Sequence, residues 1–259
     1  MDLGIRDRRA IVCAASRGIG KACAMALARE GVQLVINARN AGPLEAAASE
    51  IRERIGVSVM TVAGDIAEES TRLALLAACP SPDILINNNG GPAPGRFQDW
   101  DREVWLSAVD ANMLAPILMI RAVLDGMVER RFGRIVNITS AMVKAPLALM
   151  GLSTGARAGL TALCKAISRE VAHANVTLNN ILPERIDTDR QRAIAGLMAA
   201  ANGCTLEESY AEIRSSIAAR RLGHPDEVGD ACAFLCGAQA GFISGQNLQL
   251  DGGSYPGVV

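Results

Sequence analysis

Short runs rich in Val and Ile alternate with longer Ala-rich segments of helical period along the 259 residues, and that alternation leaves few folds open. A strand, a helical crossover and a second strand form the βαβ unit; repeated units line their strands up in parallel with helices on both faces. The strand candidates are 9–14 (RAIVCA), 32–37 (VQLVIN), 57–62 (VSVMTV), 83–87 (DILIN), 134–139 (RIVNIT), 176–182 (VTLNNIL) and 247–251 (NLQLD). Helices are expected over 18–30, 42–54, 68–78, 101–131 broken in two, 153–173 and 225–237, each long enough to cross one face of the sheet. The expected fold is α/β, a Rossmann-like doubly wound parallel sheet of seven strands in three αβα layers, one domain over residues 1–259. Residues 184–222, between the last two strands, hold two Ala-rich amphipathic pieces. An insertion at that edge of a sheet usually covers a ligand crevice, here for a small-molecule substrate.

Composition removes other function classes. Apolar residues make up 50% and charged residues 20%, enough to bury a core and too few charges for disorder. The formal charge is −1 and no Lys or Arg stripe could track phosphates, which argues against nucleic acid. No apolar run reaches about eighteen residues and MDLGIRDRRA lacks the apolar stretch of a leader, so no membrane span is expected and the cytoplasm is the expected compartment. The 7 cysteines sit in apolar periodic segments without a CxxC, beside only 2 histidines. That usage reads as reduced core thiols and gives no metal site.

The stretch IVCAASRGIGKACAMALARE is a strand, a small-residue turn and an amphipathic helix, the context in which backbone N–H groups at a helix start meet a dinucleotide diphosphate. Further along, Asp65 and Ile66 follow the third strand, Asn88, Asn89 and Gly90 the fourth, Asn112 lies in the long helix, Ser140 ends the fifth strand, and ISGQNLQLDGG nears the C-terminus. In this order the chain resembles the short-chain dehydrogenase/reductase family over essentially its whole length, above all proteins known as 3-oxoacyl-acyl carrier protein reductases.

The resemblance implies roles position by position. The family's Thr-Gly-xxx-Gly-x-Gly turn appears as Cys13, Ala14, Ser16, Arg17, Gly18, Ile19 and Gly20, with Ala14 replacing the first Gly at little expected cost in room. Asn88, Asn89 and Gly90 match the Asn-Ala-Gly on the adenosine side, with Asn89 for Ala, and Asp65 with Ile66 belongs to the same cofactor set. Pro183, Ile186 and Thr188 match the segment over the nicotinamide, with Glu184 where Gly is usual. After the second strand stand Ala38 and Arg39 in place of an acidic residue; with Arg17 they leave space and positive charge for a 2′-phosphate, favouring NADP(H) over NAD(H).

At the reacting end the family carries a Tyr that trades a proton with the substrate oxygen and a Lys four residues later. This chain has Ser153 and Arg157 there. A phenol titrates near pH ~10, whereas an alkyl hydroxyl is a far weaker acid and reaches less far. Arg157 keeps the charge and can donate to ribose hydroxyls, yet gives up no proton at ordinary pH. Lys144, four residues after Ser140 in the loop SAMVKAPL, is the candidate replacement donor, expected beside Arg157; Tyr210 and Tyr255 are poorly placed in sequence. The catalytic candidates are therefore Ser140, Asn112, Lys144, Ser153 and Arg157. Three readings stand: an NADP(H)-dependent carbonyl or secondary-alcohol oxidoreductase with a rebuilt donor, a dinucleotide-binding protein without turnover, and an enzyme of another reaction type. Apolar helices near 110–131 and 153–173 predict a homotetramer or homodimer.

Overall fold

Burial on both faces explains why the strands read as nearly unbroken apolar runs. The computed structural model describes residues 2–258. Its strands are β1 (Arg9–Val12), β2 (Gln33–Ala38), β3 (Val59–Ala63), β4 (Ile84–Asn87), β5 (Gly133–Ile138), β6 (Val176–Pro183) and β7 (Asn247–Leu250). They form one sheet in the order β3-β2-β1-β4-β5-β6-β7, and every neighbouring pair is parallel. Within β1, Ala10 and Val12 face one core and Ile11 the other.

Helices α1 (Gly18–Arg29), α2 (Ala41–Ile55) and α9 (Pro225–Cys236) cover one face; α3 (Glu69–Ala78), α5 (Ala115–Glu129) and α6 (Gly151–Val171) cover the other. The first layer is tight because α1 meets α9 at a glycine: a Cβ on Gly229 would lie 2.6 Å from the carbonyl oxygen of Ala22. Four asparagines inside the sheet are joined side chain to side chain. Asn87 donates to Asn137 (2.9 Å), Asn137 to Asn180 (2.9 Å) and Asn180 to Asn247 (2.8 Å), an amide ladder across β4, β5, β6 and β7. A one-residue slip of any of these strands would break that ladder, so it fixes register as the apolar pattern does.

The segment expected as two helices is continuous. α4 (Arg102–Val109) runs into α5 through a wide turn, Asp110–Leu114, in which Ala115 N–H bonds back five residues to Asp110 O. Pro116 is the physical reason: it has no N–H to give, and an ordinary helical turn would press its ring on the carbonyl four residues earlier. The resulting rod, Arg102–Glu129, is long and apolar enough to cross a bilayer by length and composition, although Asp110 and Arg121 interrupt its apolar run. In the fold, its Met119, Ile120, Val123 and Met127 are buried in the second core layer.

Between β6 and β7 lie α7 (Asp189–Asn202) and α8 (Leu206–Ser216), packed on each other around Ala195, Ile213 and Ile217. Thr188 caps α7 and Thr205 caps α8, the latter with Glu208 in a reciprocal capping box.

Candidate active site

The strand order turns back between β1 and β4, and the crevice at the C-terminal ends of those strands is where open parallel sheets bind ligands. β1 ends at Val12, two residues earlier than expected, so Cys13 and Ala14 belong to the turn. Asn88 Nδ2 donates to Ala14 O at 3.4 Å. The helix begins hard against that turn: a Cβ on Gly20 would stand 2.2 Å from Ala14 O. Among the described residues no side chain caps the start of α1, and its first turn carries no acidic residue.

Room is not what the missing glycine changes. Ala14 sits at φ 49°, in the left-handed region, so the cost is conformational. Ala14→Gly should therefore raise the unfolding free energy by about 1 kcal/mol, read as a urea midpoint shift. A neutral or destabilising result would show that the flexibility Gly adds to the unfolded chain outweighs the strain it relieves.

Ala38 is buried at the end of β2 and Arg39 is exposed beside it. Arg17 does not stand free: its Nη1 lies 3.1 Å from Asp189 Oδ2, an exposed ion pair joining the glycine turn to the start of α7. The same two elements touch where Thr188 Cγ2 would lie 3.4 Å from a Cβ on Gly18. Ser16 and Ile19 are part-exposed in this turn, and Ile66 is buried in the crevice floor. Asp65 Oδ1 accepts from Ala67 N–H at 3.0 Å.

Asn89, the departure from Asn-Ala-Gly, ties the loop after β4 to the wide helical turn. Its Nδ2 donates to Ala111 O at 2.9 Å, and its Oδ1 accepts from Gly90 N–H at 2.8 Å. Asn112, buried in that turn, donates to Ala108 O at 3.4 Å, while its Oδ1 is buried with no partner among the described residues.

Arg157 is 7% exposed, and its guanidinium is committed to backbone: Nη1 donates to Ile138 O (2.7 Å) and Thr139 O (2.9 Å), Nη2 to Asn89 O (3.1 Å). These bonds use three of its five N–H groups, so holding ribose hydroxyls, the role expected from sequence, would fall to the other two. Burial pushes the Arg157 pKa down to about 10, and the neighbouring charge of Arg190 adds to the effect. Its Nε is buried without a partner among the described residues, lining with Asn112, Asn88, Cys13 and Ile138 a cavity of about 20 Å³. Ser153, one turn earlier on α6, is also buried.

Ser140 caps a short turn by accepting from Met142 N–H at 3.2 Å, and Lys144 closes that turn. The neighbour of Lys144 is not the one expected. Its Nζ lies 5.6 Å from the centroid of the Tyr255 ring, so the C-terminal segment returns to the Ser140 loop. Tyr255 itself is held by Asp251 Oδ2, which accepts from its N–H at 2.9 Å.

Pro183 ends β6, and Glu184 N–H donates to Leu250 O at 3.0 Å. Burial raises the Glu184 pKa, Arg185 opposes the rise and Asp251 adds to it. Ile186 is buried and bridges to Gly223; Thr188 Oγ1 accepts from Gln191 N–H at 3.3 Å. Sequence reasoning missed Asp189 and Arg190. Arg190 reaches back across the crevice to donate to Gly91 O (2.8 Å) and Pro92 O (2.9 Å). Its only sequence signal was a position at the start of a helix bordering the crevice.

A family model described as enoyl-(acyl carrier protein) reductase matches residues 13–255. The chain belongs to the short-chain dehydrogenase/reductase family. Among similar members of the short-chain dehydrogenase/reductase family, the NADPH-dependent reductase BacG of Bacillus subtilis is 33% identical over 256 residues, 97% of this chain and 99% of that protein. The 3-oxoacyl-[acyl-carrier-protein] reductase FabG of Escherichia coli is 30% identical over 257 residues, 98% of this chain and 99% of that one. Among solved family structures, L-sorbose reductase from Gluconobacter frateurii, complexed with NADPH and L-sorbose, superposes with a TM-score of 0.94 at 27% identity, covering 100% of both chains.

Proposed function

We propose that the protein is an NADP(H)-dependent oxidoreductase that interconverts a carbonyl and a secondary alcohol. The observation that carries this reading is the start of α1: uncapped by any side chain, free of acidic residues and pressed against Ala14 O at a position only Gly20 allows. A cradle of that kind fits a dinucleotide diphosphate, with Asn88, Gly18 and Thr188 as its walls. When bound, the nicotinamide supplies a hydride to the carbonyl carbon. Relatives described as NADPH-dependent, or solved with NADPH, support the cofactor.

The chain's own residues do the rest. Ala38 and Arg39 receive a 2′-phosphate, joined by Arg17 once it leaves Asp189; an exposed ion pair of that kind holds weakly. Ser140 orients the carbonyl oxygen, Lys144 delivers the proton to it, and Asn112 and Arg157 fix the wall between the loop after β4 and the end of β5. Calorimetric titration tests the cofactor assignment. NADPH should bind more tightly than NADH, and Arg39→Ala should weaken NADPH alone by about tenfold or more. Equal affinities would sink the preference, and a panel of ketones on which the protein turns over nothing would favour a dinucleotide-binding role without catalysis.

We also propose a cytoplasmic homo-oligomer, dimer or tetramer. Leu106, Leu114 and Leu118 on the long rod and Leu163 on α6 are exposed and apolar, a surface that a second copy would cover. Light scattering showing a stable monomer at micromolar concentration would overturn this.

A further inference from the structure

Two guanidinium groups meet at one point of the crevice. A Cβ on Gly91 would stand 3.1 Å from Arg190 Nη2 and 3.6 Å from Arg157 Nη2, so both flank the loop after β4. Arg157 lies buried at the floor and Arg190 at the exposed rim. Among the described residues neither makes an ion pair; desolvation lowers both pKa values, and for Arg157 the only added charge is that of Arg190. Like charges this close in a partly desolvated site are unfavourable until an anion arrives.

Donors remain for such an anion. Of the five N–H groups on a guanidinium, Arg190 uses one from Nη1 and one from Nη2 on Gly91 and Pro92. Arg157 uses both of Nη1 and one of Nη2, and its Nε–H has no partner among the described residues. Gly91 contributes by having no side chain to cover the pair. The charge is also close to the chemistry, because Arg157 is bonded to Thr139 O, the residue before Ser140.

We propose that Arg157 and Arg190 bind a carboxylate of the substrate, which makes a short oxo acid the preferred substrate class over a neutral ketone or an ester. This rests on the reductase reading above. A cofactor diphosphate is the other source of an anion, but the uncapped start of α1 already provides for it.

Acetoacetate, 2-oxobutanoate and their methyl esters are the probes. Binding to the protein with NADP⁺ is measured by calorimetry, where no reduction can occur, and kcat/KM is measured with NADPH. Acids should bind about 30-fold more tightly than esters, and Arg190→Gln should reduce that ratio to within a few-fold while NADP⁺ affinity stays within about threefold. Arg190→Lys, which keeps the charge without the planar fork, should retain part of the ratio and controls for misfolding of the glutamine variant. Esters binding as well as acids would overturn the anion site, as would a loss of NADP⁺ affinity in Arg190→Gln matching the loss for acids. Acid-selective binding without turnover would keep the site and sink the reductase reading; equal turnover of acids and esters would do the reverse.

Discussion

Replacing Arg157 with leucine lowers the unfolding free energy by about 3–5 kcal/mol in urea denaturation, the expectation from two buried acceptors and one half-buried acceptor losing their donor at once. Ile138 O, Thr139 O and Asn89 O lie on separate elements, the end of β5 and the loop after β4, and the guanidinium is what joins them. Each orphaned carbonyl costs about 1–3 kcal/mol, and the total is reduced because removing the charge also removes its desolvation penalty. Arg157→Lys should fall between the two, since an ammonium keeps the charge but cannot span three carbonyls with a planar fork. A leucine variant within about 1 kcal/mol of the parent would show that the clamp is not holding the wall.

Lys144→Met should lower turnover by about two to four orders of magnitude while NADPH affinity stays within about threefold, the usual size of general acid help when cofactor contacts are untouched. Tyr255 sharpens the test. With its ring 5.6 Å from Nζ, it steadies the ammonium through a cation–π contact worth about 0.5–1 kcal/mol. Tyr255→Phe should keep most of the activity, because the ring remains, and Tyr255→Ala should lose more. If Lys144→Met retains full turnover the proton comes from elsewhere; if Tyr255→Phe loses as much as Lys144→Met, the phenol itself is the donor.

Most of the fold was legible because parallel strands buried on both faces leave an unmistakable residue pattern. Every strand falls within two residues of its sequence-based bounds. The wide turn in the long rod was not legible, since Pro116 announces a disturbance without saying whether the helix breaks or widens. The site was legible as a set of positions and less so as contacts. Which way Arg157 points depends on carbonyls from two other elements, and the meeting of Lys144 with Tyr255 depends on the return of the C-terminal segment over the Ser140 loop. Ala14 shows a different blindness: sequence comparison weighs a side chain's size, whereas φ 49° is a property of the backbone it must adopt.

The wide turn at Asp110–Leu114 also limits how this chain can change in length. It amounts to one residue inserted in a helix, and a helix advances about 100° per residue. Deleting Ala111 would not restore regular pairing, because Pro116 has no N–H to give and still requires the wide turn; the loss of one residue would then swing everything beyond by about 100°. Buried Met119 and Val123 would turn off the sheet, and exposed Leu114 and Leu118 would turn with them. Asn112 would leave the loop that Asn89 ties down. The insertion is therefore locked from both sides, by the crevice it faces upstream and by the core it serves downstream, and neither a single deletion nor a second insertion there could be accepted without compensation further along the rod.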